Sequence, residues 1–264
     1  MKCFITKCTE VISNKDLPYF GALKLKVTKG ELVKLNLQPY ADKIDVYKDN
    51  GELFYSFTEN NNAYPEYTPT EDGYLIVKNK YNLKKLPDAN DQDSTSGYSL
   101  NCSLHELKYC SHIKEIFGYF TGNINEIAGL DELVNFNDAG NQVYGNIEDI
   151  SNLHLQNMQA VLGCNRIVGD MSRAPHGANY MYLKNNKNRV FSWETERSSD
   201  EPIITFKEIH FDKYLDAMLT NMAKMSVDNT STDKNISVYG NRTASSDAAI
   251  STLQNKGYTI SIFN

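Results

Sequence analysis

A group of thiols and imidazoles between residues 102 and 112 carries the side chains best suited to binding a metal. Cys102, His105, Cys110 and His112 supply the four sulfur and nitrogen ligands that zinc accepts in tetrahedral geometry. Their spacing is irregular, and both histidines fall in a predicted helix, where exposed imidazoles and half-buried thiols need no metal. A weak zinc site is therefore one hypothesis for these residues. The alternative is that they are ordinary structural residues and that the protein needs no cofactor.

The acidic stretch from residue 88 to residue 93 offers oxygen ligands for calcium. An EF-hand loop beginning at Asp88 would require glycine at its sixth position and glutamate at its twelfth, but this chain has Asp93 and Ser99 there. The oxygens of Asn90 and Asp91 do not restore the pattern. The stretch is therefore interpreted as a solvated linker.

Asp170, Ser172 and His176 lie close together in sequence and invite a hydrolase interpretation. The members of a catalytic triad meet through the fold and need an oxyanion hole, and no G-x-S-x-G pattern surrounds Ser172. Proximity in a loop between repeats is the ordinary explanation for these residues. The sequence thus offers no enzymatic motif, and a non-enzymatic protein is predicted.

Trp193, the only tryptophan, stands two residues after Phe191. Tryptophan is enriched in the binding hot spots of protein interfaces, so this pair is a candidate partner-binding site. Burial of both rings in the core is the alternative.

Composition limits the classes of protein to which the chain can belong. Of its 264 residues, 41% are apolar and 23% are charged, which is enough to fill a core and unlike the composition of disordered chains. The net charge of -6 gives no electrostatic attraction to phosphate backbones, so general nucleic-acid binding is not expected. Neither a signal peptide nor a membrane-spanning segment is recognised, and the odd number of scattered cysteines favours a reducing compartment.

The first third of the chain is patterned as short strands. Alternating apolar residues from Leu23 to Val27, the turn sequence Asp49-Asn50-Gly51 and the apolar run from Tyr74 to Val77 predict an antiparallel β-sandwich. We assign this module to residues 1–87, for docking or oligomerisation. Residues 88–97 contain no large apolar side chain and are predicted to be a linker, and residues 98–264 form the second unit.

An internal repeat dominates this second unit. The sequence GNINEIAGL at 122–130 recurs 23 residues later as GNIEDISNL at 145–153, and a third copy begins at Gly169. Residues 162–169 fit the pattern L-x-x-N-x-L-x-G, which is typical of leucine-rich repeats. Apolar residues are expected to point inward, asparagines to satisfy backbone groups at the bends, and glycines to permit tight turns. The repeat residues are Gly122, Ile124, Asn141, Gly145, Ile147, Leu162, Asn165, Ile167 and Gly169.

The last third alternates strands and helices. Asp212 is predicted to cap a helix that buries Leu215, Met218, Leu219, Met222 and Met225. Ser246 is predicted to cap a second helix over residues 247–255, and a closing strand follows. These elements are expected to cap the C-terminal end of the repeats, whereas the N-terminal end, at residues 104–120, lacks cover. Association into a homo-oligomer is therefore expected.

Residues 104–264 thus resemble a short leucine-rich-repeat protein. The predicted fold class is α+β: an N-terminal antiparallel β-sandwich followed by a leucine-rich-repeat solenoid with terminal helices. The layout, together with the segment from Asn241 to Ile260, is similar to accessory virion proteins of crAss-like phages of gut Bacteroidales. This resemblance implies a phage head-fibre or capsid-decoration protein, made in the host cytoplasm, localised in the virion and bound to other virion proteins. The alternative is a carbohydrate-binding, adhesin-type leucine-rich-repeat protein whose exposed tyrosines stack on surface glycans.

Overall fold

The structure is a computed structural model that describes residues 22–59, 64–86, 101–138, 142–160, 166–175, 180–183, 189–227 and 233–264. These residues form a mixed α and β protein that is mostly sheet and has few, short helices. The predicted linker at 88–97 lies outside the described residues, and so do Asn141, Leu162, Asn165 and His176.

The first seven strands pair in antiparallel fashion, as the sequence predicts. Four of them form a sheet in the order β1, β7, β4, β5, and β2 pairs separately with β6. The strands are β1 (Leu23–Val27), β2 (Val33–Lys34), β3 (Gln38–Pro39), β4 (Ile44–Lys48), β5 (Leu53–Phe57), β6 (Glu66–Tyr67) and β7 (Gly73–Val77).

The predicted hairpin at residues 49–51 is confirmed. Gly51 has φ +85, and its N–H donates to the carbonyl of Lys48 at 2.9 Å. The carboxylate of Asp49 accepts a hydrogen bond from Tyr74 N–H at 2.7 Å, which ties the turn to the neighbouring strand. A Cβ on Gly73 would overlap that carboxylate, so a larger residue there would displace the Asp49 side chain.

The remaining strands pair in parallel and follow the order of the chain. The main parallel sheet runs β8, β10, β11, β13, β15, β16, β17, β18, and a short parallel sheet runs β9, β10, β12, β14. The strands are β8 (Leu83–Leu86), β9 (Asn101–Ser103), β10 (Glu115–Asn123), β11 (Asn135–Asp138), β12 (Gln142–Asn146), β13 (Asn157–Ala160), β14 (Ile167–Val168), β15 (Tyr180–Leu183), β16 (Thr205–His210), β17 (Asn235–Tyr239) and β18 (Thr259–Phe263).

One capping arrangement recurs in four successive turns of the chain. The side chain of Ser103, Asn123, Asn146 or Asp170 accepts a hydrogen bond from the backbone N–H two residues later, at 3.0–3.3 Å. Each cap begins a short helical turn, because it satisfies an N–H that the turn itself leaves free. These turns are α1 (Leu104–Leu107) and the 3₁₀ segments Ile124–Ile127, Ile147–Ile150 and Met171–Arg173.

The apolar residues after each cap stack in columns through the core. Cys110, Leu130 and Leu153 hold the same position, since the N–H of each donates to the carbonyl three residues earlier at 2.8–3.0 Å. The columns, all buried, are Leu104, Ile124, Ile147 and Met171; Leu107, Ile127, Ile150 and Ala174; Ile113, Leu133 and Leu155; and Ile116, Phe136, Met158, Met181 and Phe206.

Six residues of the sequence repeat fall within the described ranges. Ile124, Ile147 and Ile167 are fully buried. Gly122, Gly145 and Gly169 have φ values of +114, +129 and +119, in the region that side-chain-bearing residues rarely adopt. The structure adds a copy that the sequence pattern did not predict, the one that begins at Ser103.

Two longer helices follow, α2 (Leu215–Lys224) and α3 (Asp247–Asn255). The bounds of α3 match the prediction, and Leu215, Met218, Leu219, Met222 and Met225 are buried as predicted, although Met225 lies just beyond the end of α2. The predicted side-chain caps are not observed, although Ser246 does occupy the N-cap position of α3. Asp212 has φ +42 and lies in a 3₁₀ turn before α2, and neither it nor Ser246 makes a side-chain capping hydrogen bond. Thr243 instead caps the 3₁₀ turn Ala244–Ser246 that leads into α3.

The N-terminal end of the parallel sheets is covered, contrary to the expectation. Strand β1 pairs with β9, and β8 pairs on one side with β3 and on the other with β10. In addition, buried Lys80 donates to the carbonyl of Glu106 at 2.8 Å, and the rings of Tyr40 and His112 stack at 4.1 Å. The antiparallel module therefore covers this end, and the sequence did not reveal it because these contacts join distant residues.

Helices α2 and α3 are linked by a carboxylate whose charge should make stability depend on pH. Asp216 accepts two hydrogen bonds from Thr243, one from its N–H at 3.0 Å and one from its hydroxyl at 2.7 Å. Burial opposes ionisation, but the bonds from Ser246 and Thr243 outweigh it and hold the pKa of Asp216 below its ordinary value of 3.8. The stabilisation is therefore complete above the ordinary pKa and is lost as pH falls through the lowered value.

We expect Asp216→Asn to lower stability at pH 6 and to flatten the acid side of the pH profile, because the side chain no longer titrates. The denaturant midpoint should be measured between pH 6 and pH 3 for the wild type, for Asp216→Asn and, as a control, for Asp131→Asn on the exposed surface. A profile for Asp216→Asn that parallels the wild-type profile would contradict this role.

Candidate interaction surface

The side of the main parallel sheet that points away from the core, called here the front face, carries side chains aligned across neighbouring strands. Residues on either side of the buried column point outward because side chains alternate along a strand. Glu115, Asn135 and Asn157 share one register row, since β10 pairs in parallel with β11 and β11 with β13. The front face is therefore built of rows that cross the sheet.

Polar contacts between neighbouring strands fix the side chains at several points of the front face. Lys85 pairs with Glu115 at 2.5 Å, and the side-chain amide of Asn157 donates to Asn135 Oδ1 at 2.9 Å. Further along, Lys207 pairs with Asp233 at 2.7 Å. All these groups are partly exposed, so the contacts hold side chains in place more than they stabilise the fold.

An aromatic row occupies the front face of the last three strands. The rings of His210 and Tyr239 stack at 4.2 Å with an angle of 4°, and Phe263 lies 5.2 Å from Tyr239 at 37°. The three residues are in register on β16, β17 and β18. Phe263 is 45% exposed, so the row ends in an open apolar ring at the edge of the sheet.

The four candidate zinc ligands are divided between the core and the surface. Both thiols are buried and free, whereas His105 lies 3.2 Å from Glu126 and His112 lies 3.1 Å from Glu132. Within the ranges that the structure describes, no three His, Cys, Asp or Glu side chains come close enough to hold a metal ion together. The structure thus gives no support to the zinc hypothesis.

Cys102 and Cys110 are core residues of the repeated turns. Burial raises the pKa of the Cys110 thiol to about 12 and that of Cys102 further still. Because the thiolate is the reactive form and the ligand for metals, the raised pKa values disfavour reaction and metal binding at both thiols near neutral pH. Cys110 stands where the next two turns have Leu130 and Leu153, which explains its burial without any chemistry.

Asp170 and Ser172 come together as parts of a cap. Asp170 Oδ1 accepts hydrogen bonds from the N–H and the hydroxyl of Ser172, at 3.0 and 2.6 Å, and from Glu194 N–H at 3.2 Å. The hydroxyl also contacts Thr195 at 2.7 Å, and both residues are buried. This arrangement satisfies backbone groups at the start of a turn, and the third member of the suggested triad, His176, is not described.

Trp193 and Phe191 are buried in the core, with exposed fractions of 4% and 1%. The indole packs against Phe206 and Phe211, with ring centroids 6.2 and 6.1 Å away. Its N–H donates to Asn221 Oδ1 at 3.2 Å. Both rings are therefore core residues, and their interpretation as partner-binding residues is not supported.

A buried polar network beside Trp193 was not anticipated from the sequence. The guanidinium of Arg197 is 2% exposed and pairs with Glu201 at 2.6 Å. It also donates to the carbonyl of Ala174 at 3.0 Å, and Asn221 bonds both backbone groups of Arg197. The network ties α2 to the preceding turn, which gives these polar residues a structural role.

Several crevices open elsewhere on the described part of the chain. The first, of about 410 Å³, lies where the antiparallel module meets the short parallel sheet; the second, of about 500 Å³, lies beside the Asp170 cap; and a third, of about 340 Å³, is lined in part by Trp193 and Asn221. In the second crevice, the guanidinium of Arg173 lies 3.5 Å from the carboxylate of Glu148 and 3.7 Å from that of Asp170, so the charge of Arg173 is paired. The first is lined by Lys24, Lys26, Tyr74, Cys102, Ser103, Glu106, Thr121 and Gln142.

Comparison with protein-family models, with curated proteins and with solved structures finds no match to this chain. Among the described residues, the longest helix has ten residues, and none is long and apolar enough to cross a membrane.

Proposed function

We propose that this chain is a non-enzymatic interaction protein of the leucine-rich-repeat type, a short solenoid whose front face binds a protein partner. The antiparallel module covers one end of the parallel sheets and so supports the front face, and the protein is associated with a phage virion as a head-fibre or capsid-decoration component. The partner is another virion protein.

The observation that carries the proposal is the front face itself. Side chains from distant parts of the chain are held in rows, by the Lys85–Glu115 pair, the Asn135–Asn157 pair and the aromatic row. Fixed side chains lose little conformational entropy on binding, and stacked parallel turns offer an extended surface, which suits a protein partner. Tyr239 and Phe263 of the aromatic row belong to the residue types that are enriched in interfaces between proteins.

The same geometry argues for a protein partner over a glycan at the aromatic row. A sugar ring packs against the face of an aromatic ring, but His210 and Tyr239 stack face to face at 4.2 Å. Each ring therefore covers one face of the other, which leaves less open ring surface for a sugar. Carbohydrate binding remains the alternative, supported by exposed tyrosines elsewhere, which are Tyr40, Tyr64, Tyr74, Tyr81, Tyr109 and Tyr144.

The proposal is tested by co-sedimentation of the purified protein with crAss-like phage virions. Wild-type protein is expected to sediment with the particles, and Asn157→Arg is expected to weaken binding at least about tenfold, the equivalent of ~1.4 kcal/mol. The reason is that a long charged side chain would stand in the middle of the front face.

Tyr144→Arg is the matched control, because it adds the same charge at an exposed site on the short parallel sheet and should leave binding unchanged. Absence of binding to virions by the wild type, or equal weakening by the two variants, would contradict the proposal. Binding on a glycan array that Asn157→Arg abolishes would favour the carbohydrate-binding alternative.

A further inference from the structure

Strand β18 has an edge that no described strand covers. It pairs with β17 on one side only, and Thr259 N–H donates to the carbonyl of Lys234 while Gly240 N–H donates to the carbonyl of Phe263. In a parallel pair both backbone groups of alternate residues point to the same neighbour. Thr259, Ser261 and Phe263 therefore bond to β17, and the N–H and C=O of Ile260 and Ile262 point to the open edge.

The chemistry of this edge favours pairing with another strand. Proteins usually protect an edge strand with a charged side chain, a proline or a bulge. Residues 259–263 contain no charge and no proline, and their register with β17 is unbroken. Ile260 and Ile262 are only partly buried against the core, so an added strand would complete their burial.

Helix α3, which packs beside this edge, exposes no unpaired charged side chain toward solvent. Asp247 pairs with Arg242, and the amine of Lys256 is folded onto the carbonyls of Ala223 and Met225 at 2.7 and 2.6 Å. The other exposed residues of α3 are uncharged: Ala248, Ser251, Thr252, Gln254 and Asn255. In a chain of net charge -6, this layer lets two copies approach without bringing like charges together.

We propose that β18 pairs with β18 of a second copy of this chain, antiparallel about a two-fold axis at Ser261. A head-to-tail stack is blocked because β3, β1 and the rest of the antiparallel module cover the other end of the parallel sheets. The two-fold pairing places Ile260 opposite Ile262 of the partner subunit on both sides of the axis. Each of these pairs exchanges two backbone hydrogen bonds, which uses the groups that β17 leaves free.

Light scattering during size exclusion, at tens of micromolar protein, tests the dimer. The wild type should have twice the chain mass of 29.9 kDa, and Ser261→Lys should have the mass of one chain. The two lysines would face each other across the axis at a non-hydrogen-bonded pair, with Cα atoms about 4.5 Å apart. Because Ser261 lies on the front face, the substitution leaves the core unchanged.

Two further measurements make the test specific. Ser237→Lys places the same charge in the same register row one strand further from the axis and should remain dimeric. Mixing Ser261→Lys with Ser261→Glu should restore a dimer of one chain of each kind, since opposite charges then meet at the axis. A monomeric wild type, a dimeric Ser261→Lys variant or failure of the mixture to associate would overturn the proposal.

This dimer does not depend on the proposed function. Loss of virion binding with an intact dimer would contradict the interaction role alone, and a monomer that still binds virions would contradict the dimer alone.

Discussion

Replacing Gly169 with alanine is expected to lower the free energy of unfolding by roughly 2–5 kcal/mol. Gly169 has φ +119, and a Cβ there would lie 1.9 Å from Asn146 Oδ1 and 2.9 Å from its Cγ. That oxygen cannot move away freely, because it accepts the capping hydrogen bond from Glu148 N–H. Alanine therefore adds backbone strain and also displaces the cap of the preceding turn. Urea denaturation at neutral pH measures the loss.

Gly122→Ala is the control that separates the two causes. Gly122 has a similar φ of +114, but the nearest atom to a Cβ would be Ser103 Oγ at 3.6 Å, an ordinary contact. Only the backbone strain of alanine at a positive φ remains, so the expected decrease in the free energy of unfolding is smaller, about 1–3 kcal/mol. Equal losses for the two variants would show that overlap with the cap contributes nothing.

The glycine result also explains why part of the repeat could be predicted from the sequence. Gly145 and Gly169 each pack on the cap of the turn before, so glycine, cap and apolar residue recur together in the chain. Within the described residues, no earlier copy of the repeat packs beneath the copy at Ser103, and Cys102 stands where the later copies have glycine. Because this copy has serine as its cap, it keeps the capping hydrogen bond but lacks the Gly-Asn or Gly-Asp sequence by which the other copies are recognised.

The covered and open ends of the parallel sheets could not be inferred from local patterns. The pairing of β1 with β9 joins residues more than 70 positions apart. The local sequence of either strand does not show that it pairs with the other. Similarly, β18 was predicted as a strand, but which of its backbone groups face outward follows only from its bonds to Lys234 and Gly240. The positions of β1 and β18 could therefore be predicted from the sequence, but the strands that pair with them could not.

The front face was not predicted for a related reason. Alternation predicts which residues of a strand point outward, but the rows depend on the register between strands. His210 reaches the row of Tyr239 and Phe263 because β16 has an irregularity between Lys207 and Ile209, where Glu208 adopts φ +57. Nothing in the local sequence marks that shift.

Replacing Trp193 with alanine is expected to lower the free energy of unfolding by about 3–5 kcal/mol, the usual range for deleting a buried aromatic ring. The indole fills the space between Phe206 and Phe211, and its loss leaves a cavity between α2 and the main parallel sheet. Asn221 would also lose the N–H that bonds its side-chain oxygen at 3.2 Å. Denaturation followed by circular dichroism measures this loss without relying on the tryptophan.

Trp193→Phe distinguishes a core residue from a binding anchor. Phenylalanine retains most of the ring volume but removes the N–H donor, so the expected loss of stability is about 1–2 kcal/mol. Asn221 keeps its bond to Arg197 N–H at 2.9 Å, which limits the damage to the network. Because the ring is 4% exposed, virion binding by the folded Trp193→Phe variant should equal that of the wild type. A variant with unchanged stability and abolished binding would instead assign Trp193 to an interface and require the surrounding turn to open when the partner binds.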